Sequence, residues 1–335
     1  MMVTARETLS PRPAPHPAPL CETRLGRVNL GRTGLTTSVM GLGAGGASRL
    51  GGPRNGDLAS VRLVRTALDH GVDFIDTAEA YGTEEVIGAA LKGFGRDRVV
   101  LSTKKRVSAD LDRAVEPGDV VRSLEASLRR LATDHVDVYH LHGVRPEQYV
   151  ALRDRLLPTL LRLKEQGKVR FLGITEAFAH DPAHRMLEEA LDDDVWDVVM
   201  VGYNLLNQSA RRIVLPRALA RNVGVLVMCA ARGSLSHPER LRDRLGDLSR
   251  RCRIMPHLVD DAMRFVAAEG PTSSLQDAAY RFCRDTVRDA VILSGTGNEE
   301  HLVENIRSLS KAPLPRRYRE RLAALFDGVD EIAGT

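Results

Sequence analysis

From residue 57 to residue 310 two hydrophobic rhythms alternate. Short apolar runs at 73–76, 98–103, 136–141, 169–174, 196–203, 224–228 and 290–293 have the length of buried strands. Between them lie longer stretches whose apolar residues recur three and four apart. Val61, Val64 and Leu68 form one such set, and Val121, Leu124, Leu128 and Leu131 another. That is the period of a helix with one buried face. The pattern predicts helices at 57–70, 83–92, 118–132, 146–166, 181–191, 209–221, 258–269, 274–285, 299–309 and 317–326. Gly167 is a helix-ending glycine, and Pro182 is expected at a first helical position.

Upstream, Gly31-Arg-Thr-Gly34 marks a turn within a hairpin at 27–36, followed by a strand at 37–43. This gives eight core strands, each followed by helix, and such short buried strands joined by helices demand a parallel sheet. The fold class expected is α/β, a closed (β/α)8 TIM barrel of one domain over 25–335, with an N-terminal β-hairpin across the barrel bottom. Residues 1–24 form a Pro-rich tail, expected to be disordered.

One stretch mimics another fold. Gly41-Leu-Gly-Ala-Gly-Gly46 has dinucleotide-fingerprint spacing, but it runs into Leu50-Gly-Gly-Pro-Arg-Asn-Gly56, which is no helix. A strand-to-helix loop is expected there instead.

Composition narrows the class. The chain is 43% apolar and 27% charged, with a net charge of +4 from scattered arginines. Aromatics make up 4%, which speaks against base-stacking surfaces, so no nucleic-acid partner is expected. No apolar run is long enough for a membrane span. Cys21, Cys229, Cys252 and Cys283 follow no metal spacing. They suggest free thiols, a cytoplasmic location and no bound metal. The oligomeric state is not legible.

Candidate chemistry gathers at strand ends, which converge on one mouth in a barrel. The second strand ends in Asp76, with Tyr81 one loop later. The third is followed by Lys104 and the fourth by His142. An ammonium stabilises a phenolate, and a carboxylate answers a buried ammonium. Asp76, Lys104 and Tyr81 therefore read as a proton relay with Tyr81 as acid or base, and His142 as a group that polarises a carbonyl oxygen. Each also has a bland reading: a loop cap, a solvated lysine, a core histidine. Near the eighth strand, Gly295-Thr-Gly-Asn298 opens a helix whose free N–H groups suit a phosphate, though Asn298 is equally a plain helix cap. The Arg-rich stretch 232–253 either folds over a pyrophosphate or is a solvated face.

From Arg27 to about Leu309 the chain resembles the aldo-keto reductases. The resemblance rests on Gly31-Arg-Thr-Gly-Leu35, the Asp-Thr-Ala-x-x-Tyr-Gly core of 71–88, and Ser102-Thr-Lys104. It continues through Asp137-Val-Tyr-His-Leu-His142, Tyr203-Asn204 and Gly295-Thr-Gly-Asn-x-x-His-Leu302 with Asn305. It implies a catalytic tetrad of Asp76, Tyr81, Lys104 and His142, with Lys105 as the adjacent alternative to Lys104. It implies NADPH as cofactor, with NADH possible, and a small carbonyl or alcohol substrate. Cofactor contacts are implied at Gly43, Thr175, Glu176, Tyr203, Gly295, Thr296, Gly297, Asn298 and Asn305. The chain departs from the family at Thr175-Glu176, Met200 and Met228, where a Ser-Asn pair, a Gln and an aromatic usually meet the nicotinamide. Glu176 retains the capacity to accept a hydrogen bond from its carboxamide. The expected activity is carbonyl reduction. Alcohol oxidation and a nucleotide-binding scaffold are the alternatives.

Overall fold

The computed structural model describes residues 24–46, 48–54, 56–107, 115–251, 253–267, 271–330 and 333. Residues 1–23 of the expected tail therefore lie outside the described residues, as does Cys252.

Strands β1 (Arg27–Asn29) and β2 (Thr36–Ser38) pair antiparallel. Eight parallel strands then close a barrel: β3 (Met40–Gly43), β4 (Phe74–Asp76), β5 (Val100–Arg106), β6 (Val136–Val144), β7 (Val169–Glu176), β8 (Val198–Gly202), β9 (Gly224–Met228) and β10 (Ala290–Ser294). Their order follows the sequence, and β10 closes on β3. The helices are α1 (Gly56–Asp69), α2 (Glu84–Leu91), α3 (Pro117–Leu131), α4 (Tyr149–Glu165), α5 (Arg185–Ala190) and α6 (Ala210–Ala220). They continue with α7 (Pro238–Arg250), α8 (His257–Ala267), α9 (Leu275–Thr286), α10 (Glu299–Ser310) and α11 (Arg316–Leu325).

Three expectations change in detail. The strand expected at 37–43 is two pieces, since Thr36–Ser38 belongs to the hairpin and Met40–Gly43 to the barrel. The helix expected from residue 181 begins at Arg185, and His184 before it is left-handed with φ 61°. Asp181 still behaves as a cap, accepting from the Met186 N–H at 2.8 Å, but Pro182 stays outside the helix. The Arg-rich stretch is mostly α7, with Leu241, Leu245 and Leu248 buried and Arg250 and Arg251 paired with Asp247 at the surface. A solvated face is what most of those arginines form.

Two apolar cores hold the barrel. The outer one lies between strands and helices. The inner one fills the barrel, with Phe74, Val100, Val138, Val198, Met200, Leu226 and Val291 meeting Leu30 from the hairpin turn. Leu30 plugs the end of the barrel where the strands begin. A Cβ on Gly224, the first residue of β9, would lie 2.7 Å from the Leu30 side chain. Gly31, at φ 51°, has no room for a side chain against the Asn222–Gly224 backbone. The Arg32 guanidinium pins the turn by donating to Trp196 O at 2.7 Å and pairing with Asp194 and Asp197. Among the described residues no helix is long and apolar enough to cross a membrane.

Truncating the plug tests its weight. Leu30→Ala is expected to destabilise the protein by about 2–5 kcal/mol. In urea unfolding the midpoint falls while the slope is kept; an unchanged midpoint refutes the role.

Candidate active site

Side chains alternate along a strand. Phe74 and Asp76, then Val100, Ser102 and Lys104, then Val138, His140 and His142 therefore line the barrel interior. The inner core is apolar at the level of Phe74, and polar groups replace it toward the C-terminal ends.

Lys104 is the pivot, with a fully buried side chain. Its Nζ donates to Asp76 Oδ2 at 2.6 Å and to Thr77 O at 2.7 Å. Ser102 Oγ donates to the other Asp76 oxygen at 2.8 Å. A buried ammonium is tolerable only when paired and hydrogen-bonded in this way. Lys105 points elsewhere, with its Nζ 2.6 Å from Glu79 Oε1, so Lys104 is the amine of the cluster.

The turn Glu79–Tyr81 follows β4 and ends at Gly82, which is left-handed at φ 71°. It returns Tyr81 over the mouth, where its hydroxyl lies 3.3 Å from His142 Nε2. The two rings meet edge to face at 5.4 Å, and Lys104 Nζ sits 5.1 Å from the Tyr81 ring centroid. A Cβ on Gly45 would fall 2.5 Å from the Tyr81 ring, so the glycine run after β3 makes the space for the phenol.

Burial pushes the Tyr81 phenol up, the Lys104 ammonium pulls it back, and the Asp76 carboxylate adds to the rise. The net displacement is upward, because burial outweighs the ammonium that the sequence reading stressed. Burial, then Lys104 and Arg106, push His142 down to about 3. At neutral pH the mouth thus holds a protonated phenol and an uncharged imidazole above a buried ion pair. His140 was not singled out from the sequence. It is fully buried, pairs across the ladder with Lys104, and occupies space that Gly173 leaves open. A period-two count back from His142 reveals its inward position.

A bulge shapes the β6 side. From Leu141 to Val144 the pairing with β7 shifts, so three steps on β6 match two on β7, and Gly143 takes φ 73°. Thr175 Oγ1 accepts the Gly143 N–H at 2.8 Å. Its hydroxyl thus supports the bulge that carries His142. Glu176 has a fully buried side chain and is engaged within the protein. Its Oε1 accepts from the Gly202 N–H at 2.7 Å, and His184 Nδ1 lies 3.0 Å from both oxygens. His184 in turn stacks on Phe178 at 5.5 Å. Burial raises the Glu176 carboxyl, and His184 and Gly202 moderate the rise.

The remaining expected cofactor residues fall into two groups. Gly43, Gly295, Thr296, Gly297 and Asn298 meet where β3 and β10 end. A Cβ on Gly295 would lie 2.8 Å from Gly43 O, and one on Gly297 2.4 Å from Gly51 Cα. Thr296 Oγ1 accepts from the Asn298 N–H at 3.1 Å, and Asn298 Oδ1 caps α10 through the His301 N–H at 3.0 Å. Asn305 Nδ2 holds Ser294 Oγ at 3.0 Å. Tyr203 is not brought to the mouth. It is fully buried, stacks on Phe282 and places its hydroxyl 2.9 Å from Thr286 Oγ1. Met200 belongs to the inner core.

This corner could hold a dinucleotide's phosphate end, although Glu299 and Glu300 stand in the same first turn of α10. The first turn of α10 leaves backbone N–H groups without helical partners. Arg232 places its guanidinium carbon 4.0 Å from where a Gly46 Cβ would be. Among the described residues no cluster of three or more His, Cys, Asp or Glu is arranged to hold a metal.

The model of the Aldo/keto reductase family matches residues 40–325. The chain is 32% identical over 204 residues to the aldo-keto reductase YhdN of Bacillus subtilis, covering 58% of this chain and 59% of that protein. It is 32% identical over 203 residues to the L-galactose dehydrogenase of Arabidopsis thaliana, covering 59% and 62%. It is 30% identical over 221 residues to the NADH-specific methylglyoxal reductase of Escherichia coli, covering 60% and 65%. The matched segments thus span less than two thirds of these curated relatives. An aldo-keto reductase from Klebsiella pneumoniae in complex with NADPH superposes with a TM-score of 0.65 at 25% identity, over 90% of this chain and 95% of that one. One from Bacillus halodurans, in its holo form, gives 0.67 at 20% identity over 90% and 96%, a likeness of fold.

Two outcomes are expected of the ion pair and the imidazole. Lys104→Met strands a buried carboxylate and should cost about 3–5 kcal/mol in denaturant unfolding. Adding Asp76→Leu should recover part of that loss; a double variant no better than the single one contradicts the pairing. NMR titration of His142 should show a neutral ring from pH 7 to about pH 4, with protonation near 3. The folded value lies below the unfolded value of about 6.5. Stability from this group is therefore present above pH 6.5 and is lost as pH falls toward 3. A titration midpoint near 6.5 refutes the shift.

Proposed function

The chain belongs to the Aldo/keto reductase family, and from that membership we propose that it is an NAD(P)-dependent oxidoreductase that reduces an aldehyde or ketone to an alcohol. The observation that carries this reading is the Tyr81 hydroxyl 3.3 Å from His142 Nε2, above the buried Lys104–Asp76 pair. A reduced nicotinamide nucleotide, when bound, supplies the hydride that adds to the carbonyl carbon. The backbone N–H groups at the start of α10 and the Arg232 guanidinium would hold its phosphates.

Tyr81 and His142 hold the carbonyl oxygen between them, and Tyr81 passes its proton to that oxygen as the new C–H bond forms. The phenolate left behind is stabilised by the Lys104 ammonium, which Asp76 and Thr77 O keep in place. His142 stays uncharged and orients the oxygen without competing as an acid. Burial keeps the Tyr81 phenol protonated, the form from which carbonyl reduction starts. The intact cluster also weighs against a scaffold without catalysis. The free thiols of Cys229 and Cys283 support a reducing, cytoplasmic setting.

Either NADPH or NADH serves as donor in this reading, and fluorescence titration with each decides between them. Tyr81→Phe should lower kcat for an aldehyde such as butanal by about a hundredfold or more. The affinity for the nucleotide should stay within about twofold. Turnover that survives the substitution removes Tyr81 from its role.

A further inference from the structure

Three members of the mouth cluster stand on strands: Asp76 on β4, Lys104 on β5 and His142 on β6. Tyr81 does not. It ends the Glu79–Tyr81 turn, and a side chain on a loop is held less precisely than one on a strand. Its hydroxyl must nevertheless stay within hydrogen-bond reach of His142.

Glu79, two residues earlier in the same turn, has both carboxylate oxygens occupied, and all the donors come from outside the turn. Its Oε1 accepts from Lys105 Nζ at 2.6 Å and from the Arg106 N–H at 3.1 Å. Its Oε2 accepts from Ser123 Oγ on α3. The Lys105 and Glu79 side chains are 18% and 20% exposed, so water competes little for the pair.

These bonds close a circuit. Arg106 is the ladder partner of His142. Its N–H holds Glu79, the turn leads from Glu79 to Tyr81, and the phenol meets His142 at 3.3 Å. The carboxylate therefore ties the phenol's turn to the strand pair that carries the imidazole. Other residues fix the segments on either side. Thr77 donates its N–H to Ser102 O at 2.9 Å, and its hydroxyl lies 2.9 Å from that of Thr83. Glu84, at the start of α2, accepts from Thr103 Oγ1 at 2.6 Å and from Arg130 Nε at 2.7 Å. What Glu79 adds is confined to the turn between them.

We propose that Glu79 is a positioning residue for Tyr81, with Lys105, the Arg106 amide and Ser123 as its anchors. This rests on the reductase reading and deepens it. The adjacent lysines then have separate tasks: Lys104 stabilises the phenol's charge, and Lys105 helps to fix the phenol's place. Displacing a reacting group by about 1 Å can cost roughly a hundredfold in rate. A three-residue turn without its carboxylate tether is free to shift by that much.

The test uses Glu79→Ala, Glu79→Gln, Lys105→Met, and Glu79→Ala combined with Tyr81→Phe. Each is assayed on butanal with whichever nucleotide binds. Glu79→Ala should lower kcat by roughly tenfold to a hundredfold, with KM and nucleotide affinity within about twofold of native. Glu79→Gln keeps an acceptor oxygen and should recover most of the loss, and Lys105→Met should show a smaller part of it. In the Tyr81→Phe background, Glu79→Ala should cost less than about twofold, because a residue that acts through the phenol then has nothing left to position. A kcat within about twofold of native in Glu79→Ala, or an equal loss with and without the phenol, overturns the inference. Crystal structures of the native protein and Glu79→Ala give a readout besides turnover. The Tyr81 hydroxyl should leave His142 in the variant, and an unmoved hydroxyl overturns the inference. If the native protein reduces no carbonyl, the reductase reading falls and these structures alone decide the tether.

Discussion

An ammonium with no access to water must be answered by the protein, and the upper half of this barrel is arranged around that demand. Lys104 cannot be buried unless Asp76 faces it from the next strand and Thr77 offers its carbonyl. Both requirements fix the register of β4 against β5, because a slip of one residue turns every side chain to the opposite face. The register of β5 against β6 then sets Arg106 and His142 side by side. Satisfying one buried charge therefore places a phenol, an imidazole and a guanidinium around one opening.

Much of this was legible before any coordinates. Parallel strands covered on both sides appear as continuous apolar runs, so the alternation was countable, and ionisable residues at the ends of those runs stood out. The choice between Lys104 and Lys105 follows from alternation with Ser102, a signal present in the sequence. The same count from Met200 through Gly202 puts Tyr203 on the outer face, where it packs against α9. His184 was beyond reach. A left-handed histidine before α5 has no local signature, and the Glu176 partner that draws its ring inward lies eight positions away.

Glu176 illustrates how a position at a barrel mouth can change occupation. Its carboxylate is enclosed by His184, Phe178 and the Gly202 amide, and the side chain is fully buried. The β7 corner is therefore bound from within.

The bulge at Gly143 bears on how this strand is inherited. One extra residue between Leu141 and Val144 keeps β6 and β7 in step beyond it, with Val144 buried opposite Glu176. Loss of a single codon there would restore an unbroken ladder and draw Arg145 into the place of Val144. No point substitution reproduces that exchange. Strand length is thus specified here separately from residue identity, and gaps at 142–144 among diverging copies of the gene would mark a change of chemistry at the mouth.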